Sequence, residues 1–408
     1  RFERDDAVVV TTTRLVPARQ RVTVDASAID GLRDHAFATV AESDVVVAVD
    51  RLVQWDNGRG SHGEHGIAQA SRTWYFAEGA TYSGFSLFYL LQNPGDTLAH
   101  VTVTYLREPP LAPLTRTHEV EPHQRYTVWV NNDEAGPETP SSGAASSVVI
   151  ESDRPIVAER AMYRSVPASF EAGHAAAGAD RLRTSWFFAE GHTGPLFAQY
   201  LLIGNPGDTS VPVHVTYLLP DGPTMPITYE VGPRSRYTVL VNRETPSPGV
   251  SLASTAVAMA IEADAPVVAE RAMWWPGPSS RTWLEAHASL GATQTCARWA
   301  VAEGEWATGV STYVLVANTG TAASTLRVTL LREGAAPLSA DVSIDSGARI
   351  NVDVPSLFPE AFGSRFAMLI EPAPFAPALP LVVEWSHYAD TPTVHWSAGA
   401  NAGGTCVP

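Results

Sequence analysis

Trp74-Tyr75-Phe76-Ala77-Glu78-Gly79 returns as Trp186-Phe187-Phe188-Ala189-Glu190-Gly191 and, more loosely, as Trp299-Ala300-Val301-Ala302-Glu303-Gly304. The glutamates lie 112 and 113 residues apart (190 − 78, 303 − 190). That period is too long for a solenoid repeat and about right for a small domain. The chain therefore reads as a tandem array of one module. Its copies are expected over residues 71–182, 183–292 and 293–408, the last diverged and acting as a cap.

Residues 1–70 match only the second half of the module. Gln20-Arg21-Val22-Thr23-Val24 corresponds to Gln124-Arg125-Tyr126-Thr127-Val128, to Ser235-Arg236-Tyr237-Thr238-Val239 and to Ala348-Arg349-Ile350-Asn351-Val352. Val49-Asp50-Arg51 then corresponds to Ala158-Glu159-Arg160, Ala269-Glu270-Arg271 and Val383-Glu384-Trp385. Half a sandwich leaves an apolar face uncovered and strand edges unpaired. A partner is expected to complete it, either an upstream segment or another copy of the chain.

Within a module the pattern is that of strands. Phe85 to Leu91 is an apolar, aromatic run that stops at Asn93-Pro94-Gly95-Asp96, four turn formers in a row. Val101-Thr102-Val103-Thr104-Tyr105 alternates with period two, as a half-buried strand does. About seven such runs per ~110 residues, with turns every 8–12, predict an all-β fold of antiparallel β-sandwich modules.

The three phrases Trp-Tyr-Phe-Ala-Glu-Gly, Leu-Leu-Gln-Asn-Pro-Gly-Asp and Pro-Ile-Val-Ala-Glu-Arg-Ala-Met-Tyr resemble uncharacterised tandem repeats of exported or cell-surface proteins from actinobacteria and Chloroflexi-like bacteria. The resemblance spans essentially the whole chain. It implies immunoglobulin-like sandwiches and a secreted or cell-surface setting. It implies no activity and no catalytic residues.

Composition narrows function further. The net charge is −16 with a pI near 5.1, so binding to a phosphate backbone is not expected. All 27 basic residues are Arg, which rules out lysine isopeptide chemistry. No apolar run approaches the roughly 18 residues of a membrane helix. The chain starts at Arg1 without a secretion segment and reads as a mature product or a fragment.

Each module carries a recurring polar set: Glu78, Glu159, Arg160 and His174; Glu190, Glu270, Arg271 and His287; Glu303, Glu384 and His395. Residues 1–70 add Asp50, Arg51 and His65. Paired carboxylates can serve a glycosidase, and with His a metal. An enzyme seldom carries one catalytic pair in three consecutive copies, whereas a structural cluster recurs wherever its module does. A buried carboxylate needs a partner, and the adjacent Arg is the expected one. No nucleophile elbow, phosphate loop or calcium loop occurs, so neither catalysis nor a cofactor nor a metal is expected.

Trp274, Trp275, Trp306 and Trp396 are candidate stacking platforms for a cell-surface glycan. Trp74, Trp186 and Trp299 open an apolar strand each time and read as core. Cys296 stands just before Trp299, and Cys406 occupies the comparable junction after the last module. A disulfide between them is expected to clip the tail to its own module and to mark an oxidising compartment. The resulting expectation is a non-enzymatic extracellular structural protein: a stalk, surface-layer, sheath or filament component with its modules in a row. The alternatives are a glycan-binding adhesin or an accessory region of a larger secreted hydrolase.

Overall fold

The computed structural model of the chain describes residues 1–108, 110–132, 144–165, 170–277, 282–390 and 395–407. The N-terminal segment supplies β1 (Phe2–Arg4), β2 (Val9–Val10), β3 (Phe37–Thr39), β4 (Asp50–Trp55) and β5 (Gly60–His65). The first full repeat runs through β6 (Ser71–Phe76), β7 (Phe85–Asn93), β8 (Ala99–Arg107), β9 (Leu114–Val120), β10 (Gln124–Trp129), β11 (Ser146–Arg164) and β12 (Ala172–Ala177). The second has β13 (Arg183–Phe188), β14 (Ala198–Asn205), β15 (Val211–Leu219), β16 (Gly222–Pro223), β17 (Ile227–Val231), β18 (Ser235–Leu240), β19 (Ala258–Trp275) and β20 (Glu285–Leu290). The third has β21 (Trp299–Val301), β22 (Glu305–Trp306), β23 (Val310–Asn318), β24 (Ser324–Arg332), β25 (Leu338–Ile344), β26 (Arg349–Asp353), β27 (Ser364–Pro372), β28 (Leu381–Ala389), β29 (Ala398–Gly403) and β30 (Thr405–Cys406). Every pairing is antiparallel, as the alternation predicted. No helix among the described residues is long and apolar enough to cross a membrane.

One long strand organises each repeat. The first half of β11 pairs with β6 and β8, and its second half with β7 and β12. β9 extends the first sheet and β10 the second. The two sheets share β11, whereas the two sheets of an immunoglobulin domain are built from separate strands; the strand order here departs from that arrangement. Their inner faces meet in a core that includes Trp74, Phe76, Leu87, Tyr89, Val103 and Ile150, all buried. β19 repeats the plan. In the third repeat the long strand is broken into β27 and β28. Pro372, Pro374, Pro377 and Pro380 fall between or at their ends, and proline cannot donate to a ladder.

The turn after β7 works as a clip. Asn93 donates its amide to the carbonyls of Thr97 and Val120 at 2.8 and 3.0 Å, and its side-chain oxygen accepts from Gly95 N at 3.1 Å. Asn205 and Asn318 do the same in their repeats. Side-chain capping of this kind holds a strand end without a ladder partner.

The N-terminal segment reproduces the second half of a repeat in register. Phe2, Glu3 and Arg4 face Thr39, Ala38 and Phe37 as Tyr105, Leu106 and Arg107 face Val148, Ser147 and Ser146. β4 and β5 pair as the second half of β11 pairs with β12.

The repeats do not lie in a row. β5 packs on β12, β12 on β20, β20 on β29 and β29 on β5, so the four strands enclose an axis. These strands are rich in Gly and Ala, which lets them approach closely. A Cβ on Gly63 would fall 2.6 Å from Trp385 Cη2, and one on Gly399 2.6 Å from Trp275 Cζ2. The half-repeat and three full repeats thus close into a ring with pseudo-fourfold order. The expectation of an extended array is corrected by this closure.

Candidate functional site

The recurring polar residues meet at the ring's interfaces. Successive residues on a strand point to opposite faces, so Glu159 and Arg160 cannot pair with each other. Each Arg reaches forward to the Glu of the next repeat. Arg51 donates to Glu159 at 2.8 Å, Arg160 pairs with Glu270, and Arg271 lies 3.4 Å from Glu384. Glu270 and Glu384 also reach back to the Ala-Glu-Gly turn of the preceding repeat. Glu270 accepts from Ala77 N at 2.8 Å and Glu384 from Glu190 N at 2.5 Å. Asp50 accepts from the N–H groups of Ala302 and Glu303 at 2.8 and 3.0 Å, which closes the circle.

A second arginine row, carried by β18, β26 and the segment around Arg21, crosses the same interfaces. Arg236 donates to Gly79 O at 2.8 Å. Arg349 donates to Ala189 O at 3.2 Å and lies 3.6 Å from Glu190. Arg21 donates to Glu303 at 2.6 Å and to Gly304 O at 3.3 Å. In the sequence these arginines share one position of the aligned repeats but were not among the expected cluster residues. Their recurrence at one position was the signal that they belong to the cluster.

Each cluster is finished by further polar groups. Arg160 meets Glu78 at 3.1 Å and His174 at 3.4 Å. Arg271 donates to Ser289 at 2.9 Å and Asn401 at 2.7 Å, with His287 at 3.3 Å. Arg160 was expected to meet Glu78 or Glu159 of its own module, and it meets Glu78; Arg271 was expected to meet Glu190 or Glu270 of its own. Its partners across the interface, Glu384 and Asn401, come from the next one. In the third repeat the forward arginine is Trp385, which packs over Gly63. His395 stays out: its side chain is 69% exposed and pairs with Asp390 at 2.9 Å. The ring position of His174 and His287 is taken there by Ala400.

At the axis, Glu285 of β20 occupies a position filled by Gly60, Ala172 and Ala398 in the other copies. Its carboxylate accepts from Ser61 N at 3.0 Å, Gly173 N at 3.2 Å and Ala286 N at 2.9 Å, and Gly399 N joins them. These four N–H groups are equivalent in the four copies, so one side chain answers the whole axis. Burial pushes this carboxyl well above its usual range, and the four N–H groups pull the other way.

Burial also sets the histidines. It holds His62 down at about 3, with the Arg51 charge acting in the same direction. His387 is held at about 4 by burial and by Arg21 and Arg365, and His174 and His287 lie well below their usual value. Burial opposes the charged form of His65 too, but the hydrogen bond and charge of Glu64, with Asp50 and Glu159, outweigh it and raise His65 to about 9. Folding therefore releases protons from the first four, whose stabilisation is present above ~6.5 and lost as the pH falls. His65 stabilises below ~6.5 and ceases to as the pH passes about 9. In an NMR titration the rings of His62, His174, His287 and His387 should stay neutral from pH 7.5 to 5, while His65 titrates near 9. A midpoint near 6.5 for any of the four would contradict its burial.

The aromatic candidates divide. Trp274 and Trp275 are buried at 2% and 1% exposure, which corrects the expectation of exposed rings at that strand end. Trp275 donates across the second interface to Trp396 O at 2.8 Å, and Trp396 stacks on Tyr388 of its own repeat at 4.6 Å. Trp306 packs edge-on against Phe362. Among the described residues, Asp5, Asp6 and His35 form the one group with metal-ligand spacing; Arg4 binds Asp6 and lies 2.7 Å from His35, so the group is a surface ion cluster. A surface groove lined by Thr245 to Ser251 carries no titratable side chain.

No protein-family model matches the chain, and no curated protein matches it. Among solved structures it is similar to Thermotoga maritima 1070, at 20% identity over 27% of this chain and 94% of that one, with a TM-score of 0.23. It is also similar to the Anabaena sensory rhodopsin transducer, at 23% identity over 23% of this chain and 91% of that one, with a TM-score of 0.20.

Proposed function

We propose that this chain is a non-enzymatic structural protein of the cell exterior, acting as a rigid ring of β-sandwich repeats that presents its outer loops. The observation that carries this reading is where the recurring polar residues go. Arg160, Arg271 and Glu270 are all fully buried, and each makes an ion pair across a repeat–repeat contact. A set of that kind holds neighbours in register and leaves no open position for a substrate. The Cys296–Cys406 disulfide supports an oxidising compartment. A surface-layer or sheath role fits a ring better than a stalk does, because closure uses the faces through which modules in a row would join.

Small-angle scattering and a glycan array test the proposal together. The expected outcome is a compact particle and no retained glycan. Sugar binding lost in Trp306→Ala or Trp396→Ala would replace the scaffold by the adhesin reading, and an extended scattering profile would remove the ring.

A further inference from the structure

We propose that the open edge of β4, with the valines beside it, receives a first half-repeat: a polypeptide bearing a Trp-Xaa-Phe-Ala-Glu-Gly strand followed by an apolar strand like β7. The three full repeats show what belongs there. β7, β14 and β23 lie along β11, β19 and β28 on the side away from the axial strand. Among the described residues, β4 is paired with β5 alone. Val49 O accepts from Gly66 N at 2.7 Å on the β5 side. By alternation, the backbone groups of Asp50, Leu52 and Gln54 point to the empty side.

The core positions of this segment are uncovered in the same pattern. Val16 is 49% exposed, against 0%, 0% and 1% for its counterparts Val120, Val231 and Ile344. Val24 is 42% exposed, against 2–3% for Val128, Val239 and Val352. Val47 and Val49 are each 40% exposed, while Ile156 and Ala158, Val267 and Ala269, and Leu381 and Val383 are all at 0%. Four valines aligned with core positions and exposed together form a face built to be covered.

The ion clusters at the adjoining interface specify the occupant. Glu270, Glu384 and Asp50 each accept from an Ala-Glu-Gly turn of the preceding repeat. Glu159 has Arg51 but, among the described residues, no such turn before it. Arg125, the counterpart of Arg236, Arg349 and Arg21, likewise has no turn to reach. An incoming Ala-Glu-Gly turn supplies N–H groups to Glu159 and carbonyls to Arg125. A second copy of this chain cannot do so: its full repeats already use their first halves, and its N-terminal segment lacks the same strands. The occupant is therefore repeat polypeptide additional to residues 1–408.

The test mixes the full chain with a synthetic polypeptide of residues 71–104, which ends where Phe2 takes over the register of Tyr105. A one-to-one complex is expected, with amide exchange of Leu52 and Gln54 slowed at least tenfold. Gln54→Pro should weaken binding at least tenfold while the free chain keeps its fold, because Gln54 is exposed and its N–H faces away from β5. If the peptide aggregates, fusing residues 71–104 ahead of Arg1 keeps the question open to measurement. The fusion should then protect the same amides and raise the melting temperature. Absence of protection in both formats, equal binding to Gln54→Pro, or a free chain already dimeric with these amides protected would each overturn the proposal.

Discussion

Replacing Arg271 with alanine is expected to destabilise the chain by about 3–5 kcal/mol, the usual cost of breaking a buried ion cluster from one side. The side chain is fully buried and bridges Ser289 of its own repeat to Asn401 and Glu384 of the next. Without it Glu384 keeps only the Glu190 N–H and the Ser289 hydroxyl, and Asn401 loses its donor. Lysine should not rescue, since one ammonium cannot span the three acceptors that a planar fork reaches. The ring contains its own control for an apolar solution. At the third interface Trp385 stands where Arg271 stands, and Gly63 stands where Asn401 does, so the indole fits only because the opposing residue has no side chain. Arg327→Ala, which removes an exposed pair with Asp341 at 2.8 Å, should leave stability nearly unchanged. Urea denaturation of the three variants distinguishes these effects. A loss below about 1 kcal/mol for Arg271→Ala would mean the interface does not depend on its ion cluster.

How much of this could be read beforehand depends on the range of the interaction. The strands and turns were legible because their causes are local. Asn93-Pro94-Gly95-Asp96 stops β7 through contacts within a few residues, and Val101 to Tyr105 alternates because one face is buried. That Arg160 and Arg271 would be structural was legible from their recurrence. The Arg160–Glu78 pair was legible too, but the partners across the interface, Glu270 and Glu384, were not, because adjacency in sequence suggests a pairing that strand geometry forbids. Closure of the ring was hidden for a related reason. A Gly-Ala-rich strand such as β12 reads as a weak strand, since what it packs against lies roughly a hundred residues away in two other copies. The axial Glu285 has no counterpart in the other copies, so no repeat comparison could single it out. Trp274 and Trp275 beside a Pro-Gly turn looked exposed, but Trp275 is covered by Phe197 and His287 of its own repeat and by Tyr388 of the next at 5.6 Å.

Reducing Cys296–Cys406 is expected to lower stability by about 4–5 kcal/mol in the chain-entropy model, because the bridge closes a long loop in the unfolded chain. The two cysteines are 110 residues apart, so the cross-link spans the whole third repeat. In the folded state both are already positioned without it. Cys296 exchanges backbone hydrogen bonds with Leu381 at 3.0 Å in each direction, Cys406 faces Trp299 in the β21–β30 pair, and Val407 N donates to Arg298 O at 3.1 Å. Little native geometry should therefore change on reduction, and the effect falls on the unfolded ensemble. Denaturant midpoints with and without reductant, and for the Cys296→Ser/Cys406→Ser double variant, should agree with each other and lie below the oxidised protein with a similar denaturant slope. The third repeat is also the one held by Trp385 in place of a forward arginine. Its attachment to the N-terminal segment through Asp50 and Arg21 should then be the first contact to open as the reduced protein is destabilised. Amide exchange at Ala302 and Glu303 reads that directly, rising before exchange in β11 or β19. Free thiols in the unreduced protein, or a midpoint that does not move on reduction, would remove the bridge from the account of stability and with it the support it lends to an oxidising compartment.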